Sequence, residues 1–217
     1  GYIDGKHVAG NAATPGDASV ANVVSAIAIN AGQDASGYDF GELANVVISG
    51  TVYLDRNDDG DRNGGDAGIA GVTLTIVGAG SDGVFGSADD TSAQVTTDAN
   101  GDYSYGGAVS GQDYRIEETQ PTGLAEGKEH PANTITLTNL PLAGSSGNDF
   151  GELAGRLSGN VYLDANNNGV RDAGERGIPG VAVQLPAGTL DALGQPVTAT
   201  TTDANGDYHF ADLVAGT

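Results

Sequence analysis

Two acidic loops contain the residues whose types and spacing best suit metal chemistry. Loop 1 is DRNDDGDRNGGD, Asp55 to Asp66, and loop 2 is DANNNGVRDAGE, Asp164 to Glu175. In both loops, side chains with oxygen atoms stand at positions 1, 3, 5, 9 and 12 and a glycine at position 6, the spacing of an EF-hand-type calcium loop. The candidate side chains are Asp55, Asn57, Asp59, Asn63 and Asp66 in loop 1, and Asp164, Asn166, Asn168, Asp172 and Glu175 in loop 2.

The spacing has a chemical reason. Ca²⁺ takes six to eight oxygen ligands at about 2.3 to 2.6 Å, and a loop that curls around the ion turns alternate side chains inward. The glycine at position 6, Gly60 or Gly169, permits a sharp turn that a Cβ atom would obstruct. Position 7 would contribute the backbone carbonyl of Asp61 or Val170. We therefore predict Ca²⁺ as the cofactor of both loops, against the alternative of solvated Asp, Asn and Gly turns.

Other acidic groups are weaker candidates for metal binding. In SDGVFGSADD, Asp82, Asp89 and Asp90 surround glycines, and this segment could hold another calcium ion or form an ordinary hairpin loop. The block DANGDY, which starts at Asp98 and again at Asp203, favours a tight turn over a ligand set. Within the stronger pair of loops, the shorter acid at position 12 of loop 1 predicts somewhat different and weaker binding than in loop 2.

The chain repeats itself, and the two loops fall at the same point of the repeat. SGTVYLD at Ser49 returns as SGNVYLD at Ser158, and TTDANGDY at Thr96 returns at Thr201, offsets of 109 and 105 residues. Turn preference alone does not explain two loops at one repeat phase with different residues in the same roles. The predicted division is an N-terminal segment (1–44, the end of one repeat), a central segment (45–154, a complete repeat) and a C-terminal segment (155–217, the start of another).

The elements that must position the loops are short β-strands. Segments rich in Val, Ile, Thr and Tyr show period-two alternation between glycine-rich turns, and no segment has a convincing helical stripe. In the central segment the predicted strands are Val46–Leu54, Val72–Val77, Ala93–Thr97, Asp102–Tyr105, Tyr114–Thr119, Thr134–Leu140 and Asp149–Leu153. Seven short strands in about 110 residues predict an antiparallel β-sandwich.

Composition excludes several kinds of partner. The 217 residues include 29 acidic and 8 basic side chains, for a formal net charge of −21, so nucleic acid and anionic membranes are not expected partners. No apolar run approaches the roughly 20 residues of a membrane span, so no membrane insertion is expected in this segment. The absence of cysteine removes disulfides and thiolate metal sites. The absence of methionine favours a processed product or a window on a longer polypeptide.

Catalysis is not expected, and the chain is predicted not to be an enzyme. His7, His130 and His209 do not share a repeat position, and no serine stands beside one in a recognisable nucleophile motif. Paired acids in Asp/Gly loops are more often ligands or turn residues than a general acid and base.

The repeated motifs together resemble the B-repeat domains of serine-aspartate repeat surface proteins (SdrD type), which are related to the collagen-adhesin B-type module. The resemblance rests on S-G-x-V-Y-L-D, the acidic loops, G-I-x-G-V, T-T-D-x-N-G-x-Y, Y-R-I-E-E-T-Q-P and D-F-G-E-L, in order along the whole chain. It implies an all-β fold of tandem antiparallel Ig-like or prealbumin-like β-sandwiches with EF-hand-like calcium loops. The family's calcium ligands then fall on the loop residues named above.

The chain departs from many collagen-adhesin relatives in one respect. Those relatives cross-link a first-strand lysine to a last-strand asparagine, whereas the only lysines here, Lys6 and Lys128, lie late in the repeat. An isopeptide bond is therefore not expected, and calcium would have to supply the stiffness instead.

Three functions remain open. The resemblance and the short junctions favour a calcium-stabilised structural stalk or spacer of an extracellular adhesin or surface fibre. The alternatives are a subunit of a filament assembled head to tail by strand complementation, and an adhesive module that itself binds a host or matrix ligand. Expected partners are neighbouring repeats of the same protein and other copies of the chain. The expected location is a bacterial cell surface or a secreted fibre.

Overall fold

The computed structural model describes residues 2–12, 15, 17–20, 22–130 and 132–216, and every regular element within them is a strand, which confirms the all-β prediction. The strands are β1 Tyr2–Val8, β2 Asp17–Val20, β3 Val23–Ser25, β4 Asp39–Leu54, β5 Ala67–Gly68, β6 Thr73–Gly78, β7 Thr91–Thr96, β8 Asp102–Val109, β9 Tyr114–Glu118, β10 Ala125–Glu126, β11 Thr134–Leu137, β12 Phe150–Leu153, β13 Gly155–Asn160, β14 Ala182–Val183, β15 Thr200–Thr201 and β16 Asp207–Leu213. Nothing in the described part of the chain is a helix long and apolar enough to cross a membrane.

The central segment is a sandwich of two sheets. One sheet has the order β1-β4-β12-β10, with β5 and β8 also paired to β4, and the other has the order β11-β9-β6-β7. Side chains along each strand point alternately to the two faces of the sheet, and the inward-facing ones form the core between the sheets. In β6, Leu74 and Ile76 are buried, whereas the threonines beside them are half-buried. From the facing sheet, Ile48, Val52 and Phe150 join the same buried cluster.

The seven predicted strands are all present, with changed ends. β4 begins at Asp39 rather than Val46, because DFGELA continues the strand and pairs with β1 of the N-terminal segment. β11 ends at Leu137 rather than Leu140, where Asn139 adopts a left-handed conformation (φ 49°) that interrupts an extended strand. The two-residue strands β5 and β10 carry too few residues to show a sequence period.

The C-terminal segment repeats the early hydrogen bonds of the central segment. β13 pairs with β16 in the way that β4 pairs with β8. The Val161 amide donates to the Gly206 carbonyl at 2.8 Å, just as the Val52 amide donates to the Gly101 carbonyl at 2.9 Å. The sequence repeat is therefore also a structural repeat.

Gly101 stands at a position that requires glycine. Its φ is +80°, and a Cβ atom there would overlap the Val52 carbonyl oxygen and stand 2.8 Å from the Ile69 nitrogen. The tight turn before β8 thus depends on backbone packed directly against backbone.

Replacing Gly101 with alanine is expected to lower the free energy of unfolding by about 3 kcal/mol, since left-handed strain adds to overpacking. Gly71→Ala is the matched control, because Gly71 has a φ of +78° with nothing within 4 Å of the added Cβ. The control should lose only about 1 kcal/mol. Urea unfolding in calcium buffer measures both, and equal losses would contradict the packing argument.

Candidate metal centre

Loop 1 is folded around the carboxylate of Asp55, which directly follows β4. Asp55 is 1% exposed, and its amide donates to the Glu152 carbonyl of β12 at 2.9 Å, which fixes the start of the loop. Its Oδ2 accepts from the Gly60 amide at 3.0 Å, and its Oδ1 accepts from the amides of Asn57 at 3.3 Å and Asp59 at 3.4 Å. The acid at position 1 therefore holds positions 3, 5 and 6 around itself.

The side chains at positions 3, 5 and 9 of loop 1 converge. The amide groups of Asn57 and Asn63 both donate to Asp59 Oδ2, at 2.7 and 2.8 Å. Hydrogen bonds from Asn63 and from the Asp61 amide lower the pKa of Asp59, so this carboxylate stays ionised. Either amide can rotate to present its oxygen instead of its nitrogen to a cation.

The acid at position 12 closes loop 1. Asp66 accepts hydrogen bonds from the Arg56 amide at 3.1 Å and the Asn63 amide at 2.9 Å. These hydrogen bonds hold the end of the loop against the residues at positions 2 and 9.

Loop 2 has the same pattern. Asp164 Oδ2 accepts from the Gly169 amide at 2.9 Å, a bond that is the largest cause of its lowered pKa. The amide groups of Asn166 and Asn168 both donate to Asp172 Oδ2 at 2.8 Å. Glu175 closes the loop as Asp66 does, with bonds of 2.8 Å from position 2 and 3.0 Å from position 9. The shorter acid of loop 1 thus makes the same backbone contacts, and its predicted weaker binding stays a prediction.

Both loops fit a hard cation in donor type and order. Their inward groups are carboxylates and side-chain amides, the ligands that Ca²⁺ prefers. At position 7, the amides of Asp61 and Val170 donate to the oxygen at position 5, which orients the peptide expected to contribute a carbonyl. Among the described residues, no three His, Asp or Glu side chains already form a metal-holding group. The acids at positions 1 and 12 of both loops accept hydrogen bonds from backbone amides, and calcium binding by these loops stays a prediction.

Loop 1 has further neighbours that the sequence did not identify. Lys128 donates to the Asp58 carbonyl, and its Nζ lies 3.7 Å from Asp58 Oδ2. The next residue, Glu129, accepts from the Tyr53 hydroxyl at 2.9 Å, and its carboxylate lies beside Gly60. The late part of the repeat therefore covers loop 1 with one cation and one additional carboxylate.

The third group of acids, Asp82, Asp89 and Asp90, also lies close together in the structure. The Ser87 hydroxyl lies 2.6 Å from Asp89, 3.3 Å from Asp90 and 3.4 Å from Asp82. Its hydrogen bond, followed by that from the Ser81 amide, lowers the pKa of Asp89 to about 2. Three ionisable groups thus share one hydroxyl, which can donate to only one of them at a time.

The DANGDY blocks form turns. Asp98 Oδ1 accepts from the amides of Asn100 at 2.8 Å and Asp102 at 3.0 Å. Asp203 makes the equivalent bonds to residues 205 and 207 at 2.8 and 3.0 Å. The carboxylates at position 1 of these blocks are engaged in capping the turn, as the sequence favoured.

A buried group of glutamates was missed at the sequence level. Glu118 is 8% exposed and Glu152 is fully buried, with Glu126 close by. Burial, followed by repulsion from Glu152 and Glu126, raises the pKa of Glu118 to about 9. Burial is also the main cause that raises the pKa of Glu152, to about 7. The signal was present in β9, where Glu118 follows Tyr114 and Ile116 on the inward face.

Replacing Glu118 with glutamine is expected to raise stability at about pH 7.5 by about 2 kcal/mol and to change it little at about pH 4.5. The raised pKa means that the folded chain retains a proton that the unfolded chain has lost. Stability therefore falls as pH rises from the ordinary value of 4.5 toward 9, and glutamine removes this fall. Thermal melts of variant and parent at both pH values measure the effect.

Glu117→Gln is the matched control for this prediction. Glu117 is adjacent in β9 but faces outward, where it pairs with Arg115 at 2.6 Å and its side chain is 41% exposed. It should show no stability gain at either pH. A gain for Glu118→Gln that is equal at both pH values would contradict the titration argument.

The fold and the loops define a class of protein: a β-sandwich repeat whose acidic loops present oxygen donors suited to a hard cation. Comparison with known families is more specific, because the SdrD B-like domain matches residues 46–137 and 155–217. The chain therefore belongs to the SdrD B-like domain family, which confirms the resemblance seen in the motifs. Membership of this family also agrees with the prediction that the chain is not an enzyme.

Curated relatives include staphylococcal serine-aspartate repeat proteins. Serine-aspartate repeat-containing protein F of Staphylococcus epidermidis is 33% identical in an alignment of 175 residues that covers 76% of this chain and 9% of that protein. Bone sialoprotein-binding protein of Staphylococcus aureus (strain MRSA252) is 36% identical in an alignment of 142 residues that covers 59% of this chain and 12% of the relative. The chain thus spans about a tenth of the length of these relatives.

Solved structures of pilins are more distant. The shaft pilin SpaA of Lactobacillus rhamnosus GG is 16% identical with a TM-score of 0.37, over 77% of this chain and 82% of that one. The major pilin SpaD of Corynebacterium diphtheriae is 14% identical with a TM-score of 0.36, over 56% of this chain and 35% of that one.

Proposed function

We propose that the chain is a calcium-stabilised stalk segment of an extracellular bacterial surface protein. In that protein, successive repeats hold a distant functional tip away from the cell or form part of a surface fibre. Membership of the SdrD B-like domain family supports this proposal, as does the presence of the domain within much longer relatives. In this proposal, the acidic loops bind calcium and the successive β-sandwiches give the stalk its length.

The observation that carries the proposal is the continuity of β4 across a repeat junction. Its first part, Asp39–Ala44, pairs with β1 of the N-terminal segment, and its second part, Asn45–Thr51, pairs with β8 of the central segment. Ser110 reinforces this junction by exchanging hydrogen bonds with Ala44 at 3.1 and 2.9 Å. Because one strand belongs to both segments, no flexible linker is available for hinging.

Calcium would act on loops that are acidic and close to the surface. Loop 1 contains five aspartates, and like charges at such range repel one another. An ion bound by the predicted ligands would offset this repulsion and hold each loop closed. The group of Asp82, Asp89 and Asp90 is proposed as a third, weaker site of the same kind, which only the central segment possesses.

Small-angle X-ray scattering of the 217-residue chain tests the stalk proposal. In calcium, we expect one extended and narrow distance distribution. In chelator at the same ionic strength, we expect a shorter and broader distance distribution, because open loops no longer stiffen the series of repeats. Isothermal titration should show one calcium site for each loop, with weaker binding in loop 1 than in loop 2. The absence of calcium binding, or identical scattering profiles in calcium and in chelator, would refute the proposal.

A further inference from the structure

We propose that loop 1 is also the joint between the central and C-terminal segments, and that Arg56 is the positioning residue that couples this loop to Asp212. The inference rests on the proposed function, because calcium is the ion expected to order loop 1. It goes further by assigning the mechanical connection to one pair of side chains.

The Arg56 guanidinium bridges the two segments. Its Nε lies 3.2 and 3.0 Å from the two carboxylate oxygens of Asp212, and its Nη2 lies 2.8 Å from Oδ2. Its Nη1 donates to the Gly65 carbonyl within loop 1. This bidentate geometry fixes the direction of the contact as well as its distance.

Arg56 is held by the residues that close the loop. It occupies position 2, and its amide donates to Asp66, the predicted calcium ligand at position 12. Gly65, which receives the guanidinium, directly precedes that ligand. Opening of loop 1 would therefore displace both ends of the arginine.

Asp212 is joined by hydrogen bonds to a turn of the C-terminal segment. Its backbone has a φ of 57°, a left-handed conformation that aspartate tolerates better than most residues. Its carbonyl accepts from the Ala192 amide at 2.7 Å, at a turn that Asp191 fixes by accepting from Leu193 and Gln195 at 2.9 and 2.8 Å.

The surroundings of the pair also connect loop 1 to the C-terminal segment. Ala192 and Leu193 pack against the buried core of the central segment. Arg56 and Asp212 line a cavity of about 170 Å³ whose wall also includes the predicted ligand Asp55. Loop 1 and the contact between the two segments therefore line the same cavity.

The repeat shows that this pair is particular to one joint. Position 2 of loop 2 is Ala165, and the residue equivalent to Asp212, 105 positions earlier, is Gly107. The variants Arg56→Ala and Asp212→Gly thus introduce residues that the repeat already accepts at these positions. Because an exposed ion pair adds little to stability, the pair is expected to set orientation rather than melting temperature.

Spin labels provide the test, because the chain has no cysteine. Ser104→Cys and His209→Cys place labels at equivalent exposed positions on β8 and β16. We expect a narrow distance distribution in calcium and one at least about twice as broad in chelator. Arg56→Ala, Asp212→Gly and the double variant should each be as broad in calcium as the parent is in chelator, with the double variant no broader than either single one.

The control is Arg62→Ala, which removes a second loop 1 arginine whose partner, Asp102 at 3.3 Å, lies in the same segment. It should leave the distribution narrow. A narrow distribution for Arg56→Ala in calcium would overturn the inference, and so would a parent distribution that does not respond to chelator. Calcium titration separates the two proposals: no binding refutes the proposed function, whereas normal binding with an unchanged Arg56→Ala distribution refutes only the joint.

Discussion

Removal of calcium is expected to lower the melting temperature of the chain by about 16 to 32 °C. An ion that binds only the folded state at about 1,000 times its dissociation constant adds about 4 kcal/mol for each site. For a chain of this size, 1 kcal/mol corresponds to about 2 to 4 °C. Without the ions, backbone hydrogen bonds to the first acids must hold the two loops closed against repulsion between their carboxylates, so release of the ions is expected to weaken the loops. Differential scanning calorimetry in calcium and in chelator measures the change.

The control for this experiment is magnesium at the same ionic strength. Mg²⁺ demands a smaller, more regular shell than a loop of this kind supplies, so it should restore only a small part of the loss. Coincident melts in calcium and chelator would contradict the prediction. Equal restoration by magnesium would show that general screening of the net charge of −21, rather than a built site, stabilises the chain.

The loops and strands could be predicted because their signals are local. In each loop the acid at position 1 binds the amide at position 6, so residues five apart determine the fold of that stretch. The inward face of β6 could be read from its alternation in the same way. Sequence spacing is sufficient wherever the interacting groups belong to one turn or one strand.

The remaining features depend on distant residues. Arg56 and Asp212 are 156 positions apart, and no period connects them. Glu118 could have been placed inward by alternation in β9, yet its raised pKa also requires Glu152, which a different sheet contributes. The extension of β4 to Asp39 likewise depends on its partner β1. Such features follow from how sheets are assembled, which a single sequence does not specify.

Replacing Asp55 with alanine is expected to be far more damaging than the equivalent change at Asp164. Asp55 is 1% exposed and accepts from three loop amides in partly buried hydrogen bonds, so its loss removes a buried acceptor from all three and should cost about 4 kcal/mol beyond its lost calcium. Asp164 is half-buried, and the preceding Leu163 is 50% exposed where its equivalent Leu54 is 1% exposed. Water can replace the lost acceptor there, so Asp164→Ala should cost about 1 kcal/mol beyond its lost calcium. Urea unfolding of both variants, with and without calcium, measures the difference.

The conservative variants separate the structural part of this loss from the electrostatic part. Asp55→Asn keeps one oxygen for the Gly60 amide but removes the charge, so in chelator it should recover more than half of the stability that Asp55→Ala loses. In calcium it should recover much less, because a neutral position 1 binds the ion poorly. Asp164→Asn serves as the control in loop 2 and should resemble Asp164→Ala in chelator. Equal losses for Asp55→Ala and Asp164→Ala would mean that burial by β12 contributes nothing to loop 1, and that the two loops differ only in sequence.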